Sequence, residues 1–320
     1  MARTRLWGAV RLVASLVMLA VLLPRAAALV GPLWKPATFA WLAAAVATTL
    51  VGVVLATLRW QRVLVALDVH TGVRPLLSNY LAGLFVSNFL PTTIGGDVLR
   101  VTRLSALNGE RPRSFASVVL ERLTGWVVLP VISLVTLLIN PGLLRPPIDE
   151  ASKLVVVISL TTLALLGVIL YGASSQAVGR RLAAKDGWLR FLNAVHLGLA
   201  RFRRQPIAAL EVLIVGFAYQ LAVVLAAFLS AKALGLPVSW TAVLAFMPAV
   251  AIVQVLPFPT IGGLGVREGA FVLFLHPLGV STDQAITLGL IVYGINLLAS
   301  LLGAPAFAVG TRTAPARATA

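Results

Sequence analysis

The chain has 320 residues, 59% of them hydrophobic and only 11% charged, with a mean hydropathy of +0.98; a water-soluble domain carries about 25% charged residues, so a soluble fold is excluded. The formal charge is +16, but the basic residues sit between apolar runs rather than along one solvent stripe, which argues against nucleic acid as a partner and for a role in topology. Cysteine is absent and the three histidines, His70, His196 and His276, are far apart, leaving no disulfide framework, no thiolate chemistry and no ligand spacing for zinc or iron; no cofactor is expected.

A bilayer core about 30 Å thick needs about 20 apolar residues at 1.5 Å per residue. In chain order, Leu6 to Leu23 meets that test as a retained first span, with Arg11 snorkelling to the interface and no convincing signal-cleavage site beside Pro24-Arg25. Phe39 to Leu58 follows, then Phe115 to Ile139, Leu154 to Tyr171, Ile207 to Ala231 and Ala285 to Val309. Two further apolar regions are cut by proline and paired glycine: Pro75 to Leu107 around Pro91 and Gly95-Gly96, and Ser239 to Leu275 around Pro259 and Gly262-Gly263. Each reads as two half-helices joined at membrane depth.

Lysine and arginine in the short loops set the orientation. Arg3 and Arg5 place the N-terminus inside, and the basic groups at 59–74, 103–113, 180–204 and 312–317 then fall on the same side if both interrupted regions enter and leave by one face. Both termini are expected to be cytoplasmic, in a bacterial inner membrane. The stretch from Arg180 to Arg204 has Leu182, Leu189, Phe191, Leu192, Val195, Leu199 and Phe202 at helical spacing, which reads either as an amphipathic helix on anionic inner-leaflet lipids or as an ordinary linker.

Thr93-Ile94-Gly95-Gly96, two residues, then Leu99-Arg100 matches Thr260-Ile261-Gly262-Gly263, two residues, then Val266-Arg267. Three spans per half would start the second half on the opposite face, so the halves are inverted. The expected fold is therefore an all-α integral membrane protein of about six full transmembrane helices plus two re-entrant broken-helix hairpins in an inverted repeat. It forms one polytopic domain over 1–310, with halves 1–140 and 150–310, a basic linker at 174–206 and a disordered cytoplasmic tail at 311–320. The two glycine-paired tips are expected to approach each other near the bilayer midplane.

Broken helices persist in a membrane only where they are buried in protein or line a wet cavity. The N-terminus of each second half-helix offers N–H donors and positive partial charge to a phosphate or carboxylate, and Arg100 and Arg267 lie one turn beyond. The alternative for Gly95, Gly96, Gly262 and Gly263 is helix packing or a plain kink. Among ten acidic residues, Asp97, Glu121, Glu211 and Glu268 fall in or beside apolar segments, where an ionised group costs about 2.5–3.5 kcal/mol and needs a partner. Asp97 can pair with Arg100 at i,i+3. Glu121-Arg122 and Arg267-Glu268 are expected to pair across helices rather than within each dipeptide. The candidate site is a polar network of Asp97, Arg100, Glu121, Arg122, Arg267 and Glu268; the bland alternative is that Arg100, Glu121 and Arg122 are solvated at an interface. Glu211 reads as interfacial. Arg59-Trp60-Gln61-Arg62 reads most simply as a positive-inside flank with an interfacial tryptophan, with a lipid-headgroup role as the secondary reading.

At Arg59-Trp60, Asn88-Phe89-Leu90-Pro91 through Gly95-Gly96-Asp97 to Arg100, Glu121-Arg122, and Pro259 through Gly262-Gly263 to Arg267-Glu268, the sequence resembles the transmembrane domain of the lysylphosphatidylglycerol synthase family, also called flippase-like or YbhN-type membrane proteins. Synthases of that family carry a large soluble aminoacyl-transferase domain after the membrane part, which this sequence lacks, so the resemblance implies translocation of a membrane lipid or lipid-linked substrate rather than synthesis, and no enzyme. The cargo differs between such proteins and does not transfer. Two rivals are a membrane-embedded headgroup transferase, for which no D-x-x-D metal pattern is present, and a non-transporting partner of a lipid or glycan synthase. No G-x-x-x-x-G-K-[ST] motif is present, so ATP is not expected as the direct energy source; Asp97, Glu121 and Glu268 are candidates for ion coupling.

Overall fold

The computed structural model describes residues 35–89, 95–174, 196, 198–202, 204–255 and 264–309. The first expected span, both hairpin tips with Gly262 and Gly263, most of the basic linker and the tail lie outside the described residues. Within them every regular element is helical: α1 Pro36–Ala66, α2 Val73–Phe89, α3 Gly95–Asn108, α4 Arg111–Ile139, α5 Asp149–Ser174, α6 Pro206–Ala233, α7 Trp240–Val253, α8 Val266–Leu275, α9 Thr282–Leu301 and α10 Gly303–Val309. Five of these, α1, α4, α5, α6 and α9, are long and apolar enough to cross a membrane, so the protein is an all-α, multi-pass membrane protein.

Local chemistry sets the ends. Proline opens α1, α4 and α6, where its missing N–H costs nothing. Ser239 accepts from Ala242 N to cap α7, and Ser281 and Gln284 form a reciprocal capping box on α9. The last span is shorter than its apolar run suggests: α9 stops at Leu301 and the chain turns into a separate helix, α10.

α1 and α6 form the most extensive pairing and run antiparallel, since Arg62 meets Glu211, Arg59 meets Gly216 and Gly52 meets Ala222. The residue offset that superposes Arg100 on Arg267 also superposes α1 on α6. The other contacts repeat in the same way: α1 on α2 as α6 on α7, α3 on α4 as α8 on α9, α4 on α6 as α9 on α1, and α4 on α7 as α9 on α2. Antiparallel contact between equivalent helices is the packing that an inverted repeat requires.

Lipid supplies no hydrophobic drive, so the interior is held by close packing and a few polar ties. One core gathers α7, α8 and their neighbours around Phe246 and Phe274, whose rings stack at 5.9 Å, and Ser133 Oγ on α4 donates to Ala245 O on α7 at 2.7 Å. The other core surrounds Trp60, Leu64, Leu76, Leu104 and Leu120. The described end of the basic linker docks on this second core: Phe202 packs against it, a Cβ on Gly198 would overlap the Leu120 side chain, and Arg201 pairs with Asp68.

Candidate functional site: a buried charge cluster at the first hairpin

Asp97 and Arg100 stand on the first two turns of α3, Glu121 and Arg122 on α4, and Arg59 about two turns before the end of α1. Arg59, Arg100 and Glu121 are 4%, 5% and 2% exposed. One oxygen of Glu121 pairs with Arg59 and the other accepts from Arg100 Nη1 at 3.1 Å. Arg100 also faces Asp97 at 3.6 Å, and Asp97 accepts from Arg122 Nε at 2.5 Å. The i,i+3 pairing of Asp97 with Arg100 is therefore present, and the reading of these residues as solvated at an interface is not. Arg122, with its side chain 47% exposed, is the accessible end of the cluster.

Aromatic faces complete the enclosure. The Arg100 guanidinium lies 4.1 Å from the Trp60 ring and 4.7 Å from that of Tyr80, while Arg59 lies 4.8 Å from the ring of Tyr219; such contacts are worth up to about 2 kcal/mol when desolvated. Arg59 and Trp60 are thus not an interfacial flank, because Trp60 is fully buried and its Nε1 donates to Ser117 Oγ at 3.0 Å. The available signal was Glu121, an acidic residue in an apolar helix that needs a cationic partner, and Arg59 is a basic residue at the end of another apolar run.

Three arginines face two carboxylates, so the cluster carries one net positive charge. Arg59 Nε and Nη1 and Arg100 Nε and Nη2 are buried with no acceptor among the described residues. Leaving such donors unsatisfied costs about 1–3 kcal/mol each, more when charged, so an added acceptor, water or anion, would be stabilised there. An apolar cavity of about 700 Å³ adjoins it between α3, α4 and α5. Asp97 and Arg122 stand among its walls with Val101, Val119, Trp126 and Leu166, and Val255 reaches it from just beyond the end of α7. A second, small cavity of about 70 Å³ lies where α1 crosses α6, against Tyr80 and Tyr219, with room for a few waters at about 10–15 Å³ each.

The glycines act first through packing. A Cβ on Gly96 would overlap Ser87 Oγ and Gly83 O, and one on Gly83 would come within 2.8 Å of Arg100 Cγ. The bare backbones let the two arms of the hairpin touch, and that contact holds Arg100 against Glu121. Asp97 occupies the first turn of α3, so the positive end of that helix already faces a protein carboxylate.

Arg267 and Glu268 do not join this network. They pair with each other, Arg267 Nη2 donating to Glu268 Oε1 at 2.6 Å, at 4% and 1% exposure. The expectation that these neighbours pair across helices is therefore corrected. Two forces fold the carboxylate back: its other oxygen accepts from Gly265 N at 2.6 Å, capping α8, and Gly289 on α9 leaves room for it. Gly265 holds φ +83°, a conformation suited to glycine. The Arg267 guanidinium stacks 4.9 Å from Tyr293. At this half-helix the N-terminal donor at Gly265 is already engaged. Glu211 pairs with Arg62 at 3.0 Å, half-exposed as an interfacial residue should be, whereas Arg103, expected in a cytoplasmic loop, is buried on α3.

No curated protein and no solved structure gives a significant match to the chain. Residues 8–303 match the family model described as the lysylphosphatidylglycerol synthase TM region. The match spans α1 to α9 and the charge cluster described above, so this chain is a multi-pass membrane protein of the lysylphosphatidylglycerol synthase transmembrane-region family, and its setting is lipid metabolism or translocation.

Proposed function

We propose that the protein moves a lipid or lipid-linked intermediate with an anionic headgroup between the leaflets of a bacterial inner membrane. One observation carries the reading: four arginine donors, buried at the first hairpin in a cluster of net positive charge, have no acceptor among the described residues, and the ion-pair chain of that cluster reaches an apolar cavity through Asp97 and Arg122. A headgroup anion supplies acceptors and cancels the surplus charge, while the cavity takes hydrocarbon. Asp97 and Arg122, which both line the cavity and belong to the ion-pair chain, hand the headgroup from one environment to the other. Movement comes from rocking of the two antiparallel halves about the α1–α6 pairing. The positive loops favour cytoplasmic termini, and the basic linker would lie near the anionic inner leaflet.

The test is leaflet-specific accessibility of labelled lipids in proteoliposomes. Anionic lipids should exchange leaflets faster with the wild-type protein than in empty liposomes, and Arg100→Gln should return the rate to the background. Equal rates with and without protein for every anionic lipid tried would contradict the proposal.

A further inference from the structure

We infer that α10 is a strap that holds the first hairpin in place, and that Arg103 is the positioning residue through which it acts; the inference rests on the translocation reading above. α10 touches both arms of the hairpin. Against α2, its first residue, Gly303, sits so close that a Cβ would overlap Leu81 O and lie 3.0 Å from Phe85 Cβ, and further along the Phe85 and Phe307 rings stand 5.8 Å apart. From α3, Arg103 Nη1 donates to Ala306 O at 2.8 Å and Nη2 to Phe307 O at 3.0 Å. Ala306 and Phe307 lie on the last described turn of α10, and their carbonyl oxygens face the guanidinium. A buried guanidinium is thereby accommodated without a carboxylate.

Arg103 lies one turn beyond Arg100 on α3, so whatever fixes Arg103 fixes the height and rotation of Arg100 against Glu121 and Trp60. At the shared repeat offset the counterpart of Arg103 is Ala270, which has no side chain to donate. Among the described residues the arginine clamp is therefore seen on the first hairpin alone, the one with the open charge cluster. Because α10 follows α9 through a single turn at Leu302, the clamp makes the first hairpin move with the last span, so that in the rocking of the halves it travels with the second half and not with the first. The hairpin is a fixed platform on α9 rather than a flap that opens.

The test uses the full-length protein in proteoliposomes, with transport of an anionic lipid measured against its mole fraction. Arg103→Gln should raise the half-saturating mole fraction about tenfold with little change in the maximal rate, and Arg103→Lys, which keeps the charge but not the two-pronged contact, should fall between. In this cysteine-free chain, a disulfide between Phe85→Cys and Phe307→Cys should leave the Arg103 protein active and should restore half-saturation to Arg103→Gln until reductant is added. An inactive cross-linked Arg103 protein, revived by reductant, would show that the strap must release and would overturn the platform; so would an Arg103→Gln protein indistinguishable from wild type, or one that the cross-link does not rescue. Arg100→Gln run alongside separates the two levels, because wild-type transport by that variant sinks the site itself, whereas loss in Arg100→Gln with none in Arg103→Gln sinks only the strap.

Discussion

The two hairpins share a sequence motif and an equivalent place in the packing, yet they resolve the same buried arginine in opposite ways. Arg100 finds its carboxylate on a neighbouring span, at Glu121, and shares it with Arg59. At the counterpart positions the second half has Leu288 for Glu121 and Ala226 for Arg59. Arg267 therefore takes the carboxylate of its own neighbour, Glu268, and the pair is closed and neutral. The first arrangement has surplus charge and unpaired donors; the second has only the pairing that stabilises a helix start. The two half-helices present matching arginines, and the partners on the flanking spans decide which cluster stays open.

The largest expected effect that probes this contrast is Glu121→Gln. It leaves Arg59 and Arg100 buried against a neutral amide, and breaking a buried ionic arrangement from one side costs about 3–5 kcal/mol. Thermal unfolding in detergent should show a large fall in midpoint, and a wild-type midpoint would mean that the carboxylate is not the centre of the cluster. Next comes the second hairpin: Arg267→Met alone should destabilise by about 2–4 kcal/mol, while Arg267→Met with Glu268→Gln should recover most of that loss, because a closed pair can be removed whole at little cost. Additive losses would show that Arg267 and Glu268 are not energetically coupled. Smaller again is Gly96→Ala, which forces the hairpin arms apart at about 1–3 kcal/mol and should lower transport more than stability, since the displaced group is Arg100; equal loss in both would reduce Gly96 to a packing residue. The least effect, under about 1 kcal/mol, belongs to Arg62→Ala, whose pair with Glu211 is half-exposed.

The spans were readable because hydropathy and length constrain a membrane helix more tightly than any other element. Each interrupted region has a described helix on either side of its tip, α2 and α3 in the first and α7 and α8 in the second, while the tips themselves lie outside the described residues. Part of the chemistry was legible: acidic and basic residues inside apolar segments pointed to the network of Asp97, Arg100, Glu121 and Arg122, both through the i,i+3 pair of Asp97 with Arg100 and through the cross-helix pairing of Glu121 and Arg122. Arg59 was misread because an Arg-Trp pair near a span end has the composition of an interfacial flank, and only tertiary packing distinguishes it from a buried cation. Arg267 and Glu268 were misjudged by helical geometry alone: adjacent positions diverge within a helix, but at its first turn the carboxylate curls back to cap the backbone. The clamp of Arg103 on α10 left no sequence signal, since its acceptors are main-chain carbonyls, which every residue possesses.

The central claim is that the open cluster at the first hairpin, and not the closed pair at the second, holds the cargo's anion. It is tested most directly by native mass spectrometry of detergent-solubilised protein titrated with an anionic and a zwitterionic lipid of equal chain length. The wild-type protein and the doubly substituted Arg267→Met, Glu268→Gln protein should retain the anionic lipid in preference to the zwitterionic one, and Arg100→Gln should lose that preference. Retention by Arg100→Gln together with loss in the doubly substituted protein would place the anion at the wrong hairpin and contradict the account.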